Sequence, residues 1–171
     1  ILGLGRIGST LAKRAKAFDM KIIYHNRKHV SKTKEKSLDV KYVSFEKLIT
    51  ESDFLSIHVP HTKETDSLFN MKIFKKMKKS SFLINTSRGK VVNEKDLAIA
   101  LKKRIIAGAG LDVFEKEPIK KNHPLVKLPN IVLAPHIGSS TKETRIKMAE
   151  ITVKNLNLGI NGKKPTYSVG Y

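Results

Sequence analysis

Cysteine is absent from the 171 residues, so neither a disulfide framework nor a thiolate metal site can form, and no metal centre is expected. The absence fits a reducing compartment, and a cytoplasmic location is expected. There is also no apolar run long enough to span a bilayer and no signal-peptide pattern, so no membrane partner is expected. Acidic residues are scarce: 15 Asp and Glu stand against 34 Lys and Arg, a net charge of +19. That imbalance raises nucleic acid as a partner, but the lysines are scattered, and aromatic residues interleaved with basic ones are missing. The densest groups, Lys75-Lys76 with Lys78-Lys79 and Lys102-Lys103-Arg104, fall at expected helix C-termini, where they complement the helix dipole. The charge therefore reads as a solvated lysine-rich surface, with no nucleic-acid partner.

The length suits about one domain, and a 40% hydrophobic content supplies a core. No internal repeat or low-complexity segment is present. Short β runs alternate with amphipathic helices. Strands are expected at KIIYH (21–25), VKYV (40–43), FLSIH (54–58), SFLIN (81–85), IIAGAGLDV (105–113) and IVLA (131–134). After the opening glycines a helix should bury the stripe Ile7, Leu11, Ala15 and Phe18. Asn70 should cap a helix over 71–77. Asn93, with Asp96 three residues on, should cap another through Leu101. The last helix opens with Ser140-Thr141-Lys142-Glu143, a capping-box pattern, and carries the stripe Ile146, Ala149, Val153, Leu156 and Ile160. This alternation predicts an α/β fold with a doubly wound parallel sheet.

The chain starts ILGLGRIGST, which places Gly3, Gly5 and Gly8 between a strand end and a helix. In a dinucleotide site the first glycine makes the tight turn and the second admits a pyrophosphate. The third lets helix pack on strand. The phosphates then rest on free N–H groups at the helix N-terminus. Backbone at residues 5–8, including Ile7, with Arg6 close by, is the expected cradle. An acid that bonds the ribose 2′-OH usually stands about 20 residues on. Here Asn26, Arg27 and Lys28 stand instead, a pattern that favours a 2′-phosphate and so NADP over NAD.

Ligands in open α/β sheets bind outside the carboxyl ends of the strands. Val59-Pro60 follow one expected strand, Thr86-Ser87-Arg88 the next, then Asp112 with Glu117, and finally His136 and Gly138. An arginine, two acids and a histidine at one sheet edge make a coherent acid–base site. These segments, GLGRIG (3–8), TSRGKVVNEKDLAIAL (86–101), AGAGLDVFEKEP (107–118) and LAPHIGSST (133–141), resemble the cofactor-binding domain of the D-isomer-specific 2-hydroxyacid dehydrogenases. The wording is nearest to the glyoxylate/hydroxypyruvate reductases, with phosphoglycerate dehydrogenases next. Related dinucleotide-sensing corepressors share much of the pattern.

The resemblance implies a Rossmann fold, an NADP or NAD cofactor and a small 2-oxo or 2-hydroxy acid substrate. It implies that Arg88 binds the substrate carboxylate and keto oxygen, and that His136 is the general acid–base. Glu117 would hold the other imidazole nitrogen, and Asp112 the nicotinamide carboxamide. It further implies a homodimer in the full-length protein. The family has two domains, so residues 1–160 are expected to be the dinucleotide-binding domain and 161–171 a tail returning toward a substrate domain absent from this chain. An isolated fragment of that kind is expected to bind dinucleotide yet turn over hardly at all.

Overall fold

A computed structural model describes residues 1–168; Val169, Gly170 and Tyr171 of the expected tail lie outside the described residues. The chain divides into two compact units, the first Ile1–His136 and the second starting at Ile137. In the first unit the elements run α1 (Arg6–Lys16), β1 (Ile22–Tyr24), α2 (Lys32–Leu38), β2 (Val40–Tyr42), α3 (Phe45–Glu51), β3 (Phe54–Ile57), α4 (Met71–Phe74), β4 (Phe82–Asn85), α5 (Glu94–Lys102), β5 (Gly108–Leu111) and β6 (Ile131–Leu133). All strand pairings are parallel: β1 with β2, and β3-β4-β5-β6 in order. The expected Rossmann-like parallel α/β fold is present.

Leu2 joins the two groups of strands by parallel bridges to His25 on one side and Ile57 on the other. Its N–H donates to the Ser56 carbonyl (2.9 Å), and its carbonyl accepts from His58 N–H (2.8 Å). The chain therefore winds one way from Leu2 through β1 and β2, and the other way through β3 to β6. That reversal is the switch point at which open α/β sheets bind ligands.

Two apolar clusters lie on either side of this divide. Ile1, Leu4, Ala12, Ile22, Tyr24, Leu38 and Val40 pack α1 and α2 against β1 and β2. The larger cluster sets Leu55, Ile57, Leu83, Ala109 and Leu111 against Phe69, Phe74, Leu97 and Leu101. The other face of the four strands is more open: Phe54 and Phe82 stack with centroids 5.2 Å apart, and Val132 is 73% exposed.

Several boundaries and faces differ from expectation. Leu11 and Ala15 of the expected stripe pack against the smaller cluster, but Ile7 and Phe18 are exposed, and the residues that α1 buries most fully are Gly8 and Ala12. The reason is the close approach at Gly8, where an added Cβ would stand 2.2 Å from the Gly3 carbonyl oxygen. So tight a crossing turns the small residues inward. Helix α4 covers only Met71–Phe74 rather than 71–77, with Asn70 capping the Lys72 N–H (3.1 Å). Lys76 and Lys78 beyond it pair with Glu46 and Asp53, each at 2.8 Å. The expected strand 105–113 is ordered as β only over Gly108–Leu111.

In the second unit α6 spans Lys142–Ile160. Its cap is Thr141, which accepts from Thr144 N–H (3.2 Å), so the expected Ser140–Glu143 box does not form. Ser140 accepts from Arg145 instead (2.9 Å). No residue of α6 is buried, and the stripe Ile146, Ala149, Val153, Leu156 and Ile160 is exposed.

The most constrained glycine of the first unit is Gly89, where a Cβ would lie 1.9 Å from the Phe114 carbonyl carbon. Backbone cannot yield as a side chain can, so Gly89→Ala is expected to cost about 1–3 kcal/mol. Urea unfolding measures this; an unchanged midpoint would show that the two loops can separate freely.

Candidate active site

The glycine turn is built by its neighbours. Gly3 holds a left-handed φ of +96°, where a side chain would be strained and would also strike the His58 backbone. The Gly3 N–H donates to the His25 carbonyl (3.0 Å), and the Leu4 N–H donates to the Asn26 side-chain oxygen (2.7 Å). Gly5 caps α1 without any side-chain bond to the first-turn N–H groups, and that turn holds no acid. Nothing lies within 4 Å of a Cβ added at Gly5. Open space, uncapped N–H groups and the positive end of the helix dipole fit a pyrophosphate. Arg6 and Ile7 are exposed beside it.

The segment after β1 is clamped at both ends. Asn26 closes onto the glycine turn, so its side-chain oxygen is already engaged. Val30 N–H donates to the Tyr24 hydroxyl (3.2 Å), which itself donates to Glu35 (2.5 Å). Burial and the Glu35 bond push the Tyr24 phenol up to about 12. Between the clamps Arg27 and Lys28 stand exposed, and His29 stacks on Tyr42 at 3.5 Å between centroids.

Next to this segment lies a cavity of about 200 Å³, lined by Leu2, His25, Asn26, Arg27, Phe45, Val59, Pro60, Thr62, Glu64, Thr65 and Leu68. It therefore joins four of the sequence-predicted residues, Asn26, Arg27, Val59 and Pro60. Thr62, which follows Val59-Pro60 in the stretch after β3, lines it too, together with Glu64 and Thr65. The Thr62 hydroxyl donates to Glu64 (2.7 Å). That bond, with a smaller contribution from the Arg27 charge, holds the Glu64 carboxyl below its usual value.

The second group gathers at the ends of β4, β5 and β6. Asn85, fully buried, organises the loop after β4. Its oxygen accepts from both the N–H and the hydroxyl of Ser87 (3.0 and 2.8 Å), and its amide donates to the Arg88 carbonyl (3.0 Å). Thr86 and Arg88 are exposed, with the guanidinium folded onto the Ser87 carbonyl (2.7 Å). Asp112 is buried, and its N–H donates to the Asn85 carbonyl (3.0 Å). Gly138 belongs to the second unit.

Glu117 and His136 meet directly, Oε2 to Nδ1 at 2.6 Å. The other Glu117 oxygen accepts from the Phe114 N–H (3.0 Å). His136 reaches this position with a left-handed φ of +55°, a conformation that costs a residue with a Cβ about 1–2 kcal/mol. The His136 bond, then the Phe114 N–H, and also the Arg88 charge lower the Glu117 carboxyl below its usual value. A depressed folded value means that Glu117 stabilises the fold above the ordinary carboxyl range. The contribution is lost as pH falls through the depressed value. With Nδ1 engaged, the imidazole keeps Nε2 for another partner.

A family model for the D-isomer specific 2-hydroxyacid dehydrogenase NAD binding domain matches residues 1–138. The chain belongs to this family. It is 54% identical over 165 residues to a glyoxylate reductase of Thermococcus litoralis, covering 96% of this chain and 49% of the relative. It is 51% identical over 165 residues to a glyoxylate reductase of Korarchaeum cryptofilum, with the same coverage. A crystal structure of a glyoxylate reductase from Paecilomyes thermophila superposes with a TM-score of 0.86 at 40% identity, over 93% of this chain and 48% of that one. The chain thus spans about half the length of the curated relatives it matches. No helix among the described residues is long and apolar enough to cross a membrane.

Gly5→Ala tests the fit at the turn. The methyl group enters open space, so stability should change by less than about 1 kcal/mol, the cost of a poorer cap. Dinucleotide affinity should fall at least tenfold, read by nucleotide fluorescence. Unchanged affinity would place the pyrophosphate elsewhere.

Proposed function

We propose that the chain is the cofactor-binding and catalytic half of an NADP-preferring D-2-hydroxyacid dehydrogenase that reduces glyoxylate or hydroxypyruvate. The observation that carries this reading is the Glu117–His136 pair at 2.6 Å, set at the same sheet edge as Arg88. The bound nicotinamide dinucleotide would supply the hydride. Residues 1–160 would act as the dinucleotide-binding domain, with Gly3, Gly5 and Gly8 framing the pyrophosphate cradle at the backbone of residues 5–8. Val59 and Pro60 would line the adenosine side, Thr86 and Ser87 would border the nicotinamide side, and Asp112 would orient the carboxamide.

The substrate chemistry falls to three side chains. Arg88 offers a planar fork suited to the carboxylate and keto oxygen of a 2-oxo acid. His136, with Nδ1–H held by Glu117, presents Nε2–H to the carbonyl oxygen. It delivers its proton there during reduction and takes it back in the reverse direction. Glu117 fixes the ring orientation and, by holding Nδ1, the nitrogen that is left to face the carbonyl oxygen. Small acids suit this arrangement because the polar groups all address the carboxylate and the adjacent carbon. A homodimer is the assembly we expect of the full-length protein.

The choice of cofactor rests on Arg27 and Lys28, which stand where an NAD-selective site would put an acid. Glu64, lining the same cavity as Arg27, offsets part of that charge. NADPH should bind at least tenfold tighter than NADH, since a charge-assisted bond contributes about 1.5–3 kcal/mol. Arg27→Ala should erase most of the difference, and added salt should shrink it. Equal affinities for the two cofactors would leave Arg27 as an ordinary turn residue.

Turnover is measured on this chain joined to the remaining half of the Thermococcus litoralis glyoxylate reductase. His136→Asn should lower the rate of glyoxylate reduction about 10²–10⁴-fold, with NADPH affinity nearly unchanged. Arg88→Lys should also reduce it strongly despite the retained charge, because the fork is lost. Wild-type rates in the His136 variant would remove the general acid from the account.

A further inference from the structure

Behind the Glu117–His136 pair lies a carboxylate with no part in that chemistry. Glu94, the first residue of α5, is only 6% exposed. A buried carboxylate is costly unless donors surround it, and Glu94 has two. Its Oε1 accepts from the Glu115 N–H (2.7 Å), and its Oε2 lies 3.3 Å from His123 Nε2. The His123 Nδ1 accepts from Leu125 N–H (3.4 Å), which leaves the ring proton on Nε2, facing Glu94. The bond to the loop is returned, since the Glu94 N–H donates to Glu115 Oε1 (3.0 Å). Two carboxylates and two backbone N–H groups thus lock α5 to the loop that follows β5.

That loop carries the pair. Glu115 is next to Phe114, whose N–H holds Glu117 (3.0 Å), and Phe114 is also the residue against which Gly89 packs. Fixing Glu115 therefore fixes the Phe114 N–H, and so the direction in which Glu117 presents its second oxygen to His136. We infer that Glu94 is a positioning residue, which through Glu115 and Phe114 holds Glu117 in register with His136. The inference rests on the reading of Glu117–His136 as the acid–base pair. The ionisable groups bearing on the pair and its brace are Arg88 after β4, Glu94 at the head of α5, Glu115 on the loop and His123 beyond it. Burial, above all, raises the Glu94 carboxyl, with the Glu115 and Glu117 charges adding to it.

Two near-isosteric variants separate geometry from charge. Glu94→Asp keeps the charge but withdraws it from the Glu115 N–H, whereas Glu94→Gln loses the charge but keeps an acceptor in place. The readout is the chemical shift of the hydrogen-bonded His136 Nδ1 proton by NMR, with Glu117→Gln as calibration and circular dichroism confirming the fold. Glu117→Gln should move that signal upfield, because an ionised acceptor makes a shorter and stronger bond than an amide. Positioning predicts that Glu94→Asp moves it at least half as far, while Glu94→Gln leaves it close to the parent. Amide exchange at Phe114 should quicken in Glu94→Asp alone. If Glu117→Gln moves the signal but Glu94→Asp does not, the brace is refuted and the pair stands. The reverse ranking of the two Glu94 variants would make Glu94 a source of field rather than of position. If Glu117→Gln itself leaves the signal unmoved, the pair is refuted along with the brace.

Discussion

The short run Ile1–Gly3 is the part of the molecule on which the rest depends. Its backbone bonds hold β1 through His25 and β3 through Ser56 and His58, all at 2.8–3.0 Å. Two groups of strands thereby share one ladder and open in opposite directions from it. The glycine-turn half of the candidate site follows from this divergence. The glycine turn is the continuation of Leu2, the Asn26–Lys28 segment continues β1, and Val59-Pro60 continues β3. The cavity between them is floored by Leu2 itself.

The other half of the site is organised by buried polar groups rather than by the ladder. Asn85 sits at the end of β4 with its side-chain oxygen and nitrogen both engaged in shaping the 86–88 loop. Glu94 performs the matching task for the loop after β5. Both are buried, so each would be expensive without its partners. The loop that carries Arg88 and the loop that carries Glu117, the partner of His136, are therefore each shaped by a buried polar side chain.

How far the sequence could be read follows from this division. The glycine turn and the strand-end residues were legible, because short apolar runs and glycine spacing report backbone geometry directly. The burial of α1 was legible only in part: Leu11 and Ala15 pack on the core, but the stripe also counted Ile7 and Phe18, whereas the close crossing at Gly8 turns Ala12 inward. Spacing of apolar residues cannot reveal which face so close a backbone crossing selects. The cap of α6 moved by one residue for a similar reason, since Ser140 and Thr141 carry the same hydroxyl and only local geometry chooses between them. Glu94 and Glu64 went unrecognised, because each matters through a partner distant in sequence. An acid opening a helix has a sufficient local explanation in the dipole. An acid in a polar loop has one in solvation.

On the proposed reading one dinucleotide lies across the switch point, from the Arg27 segment over the glycine turn to the edge that carries His136. Titrating isotope-labelled protein with NADP⁺ and following backbone amide shifts tests this residue by residue. Saturable shifts are expected at Gly3 to Gly8, at Asn26 to Lys28 and at Asp112, with the lysine groups at 75–79 and 102–104 left unmoved. Shifts concentrated at those lysines, with the glycine turn silent, would contradict it.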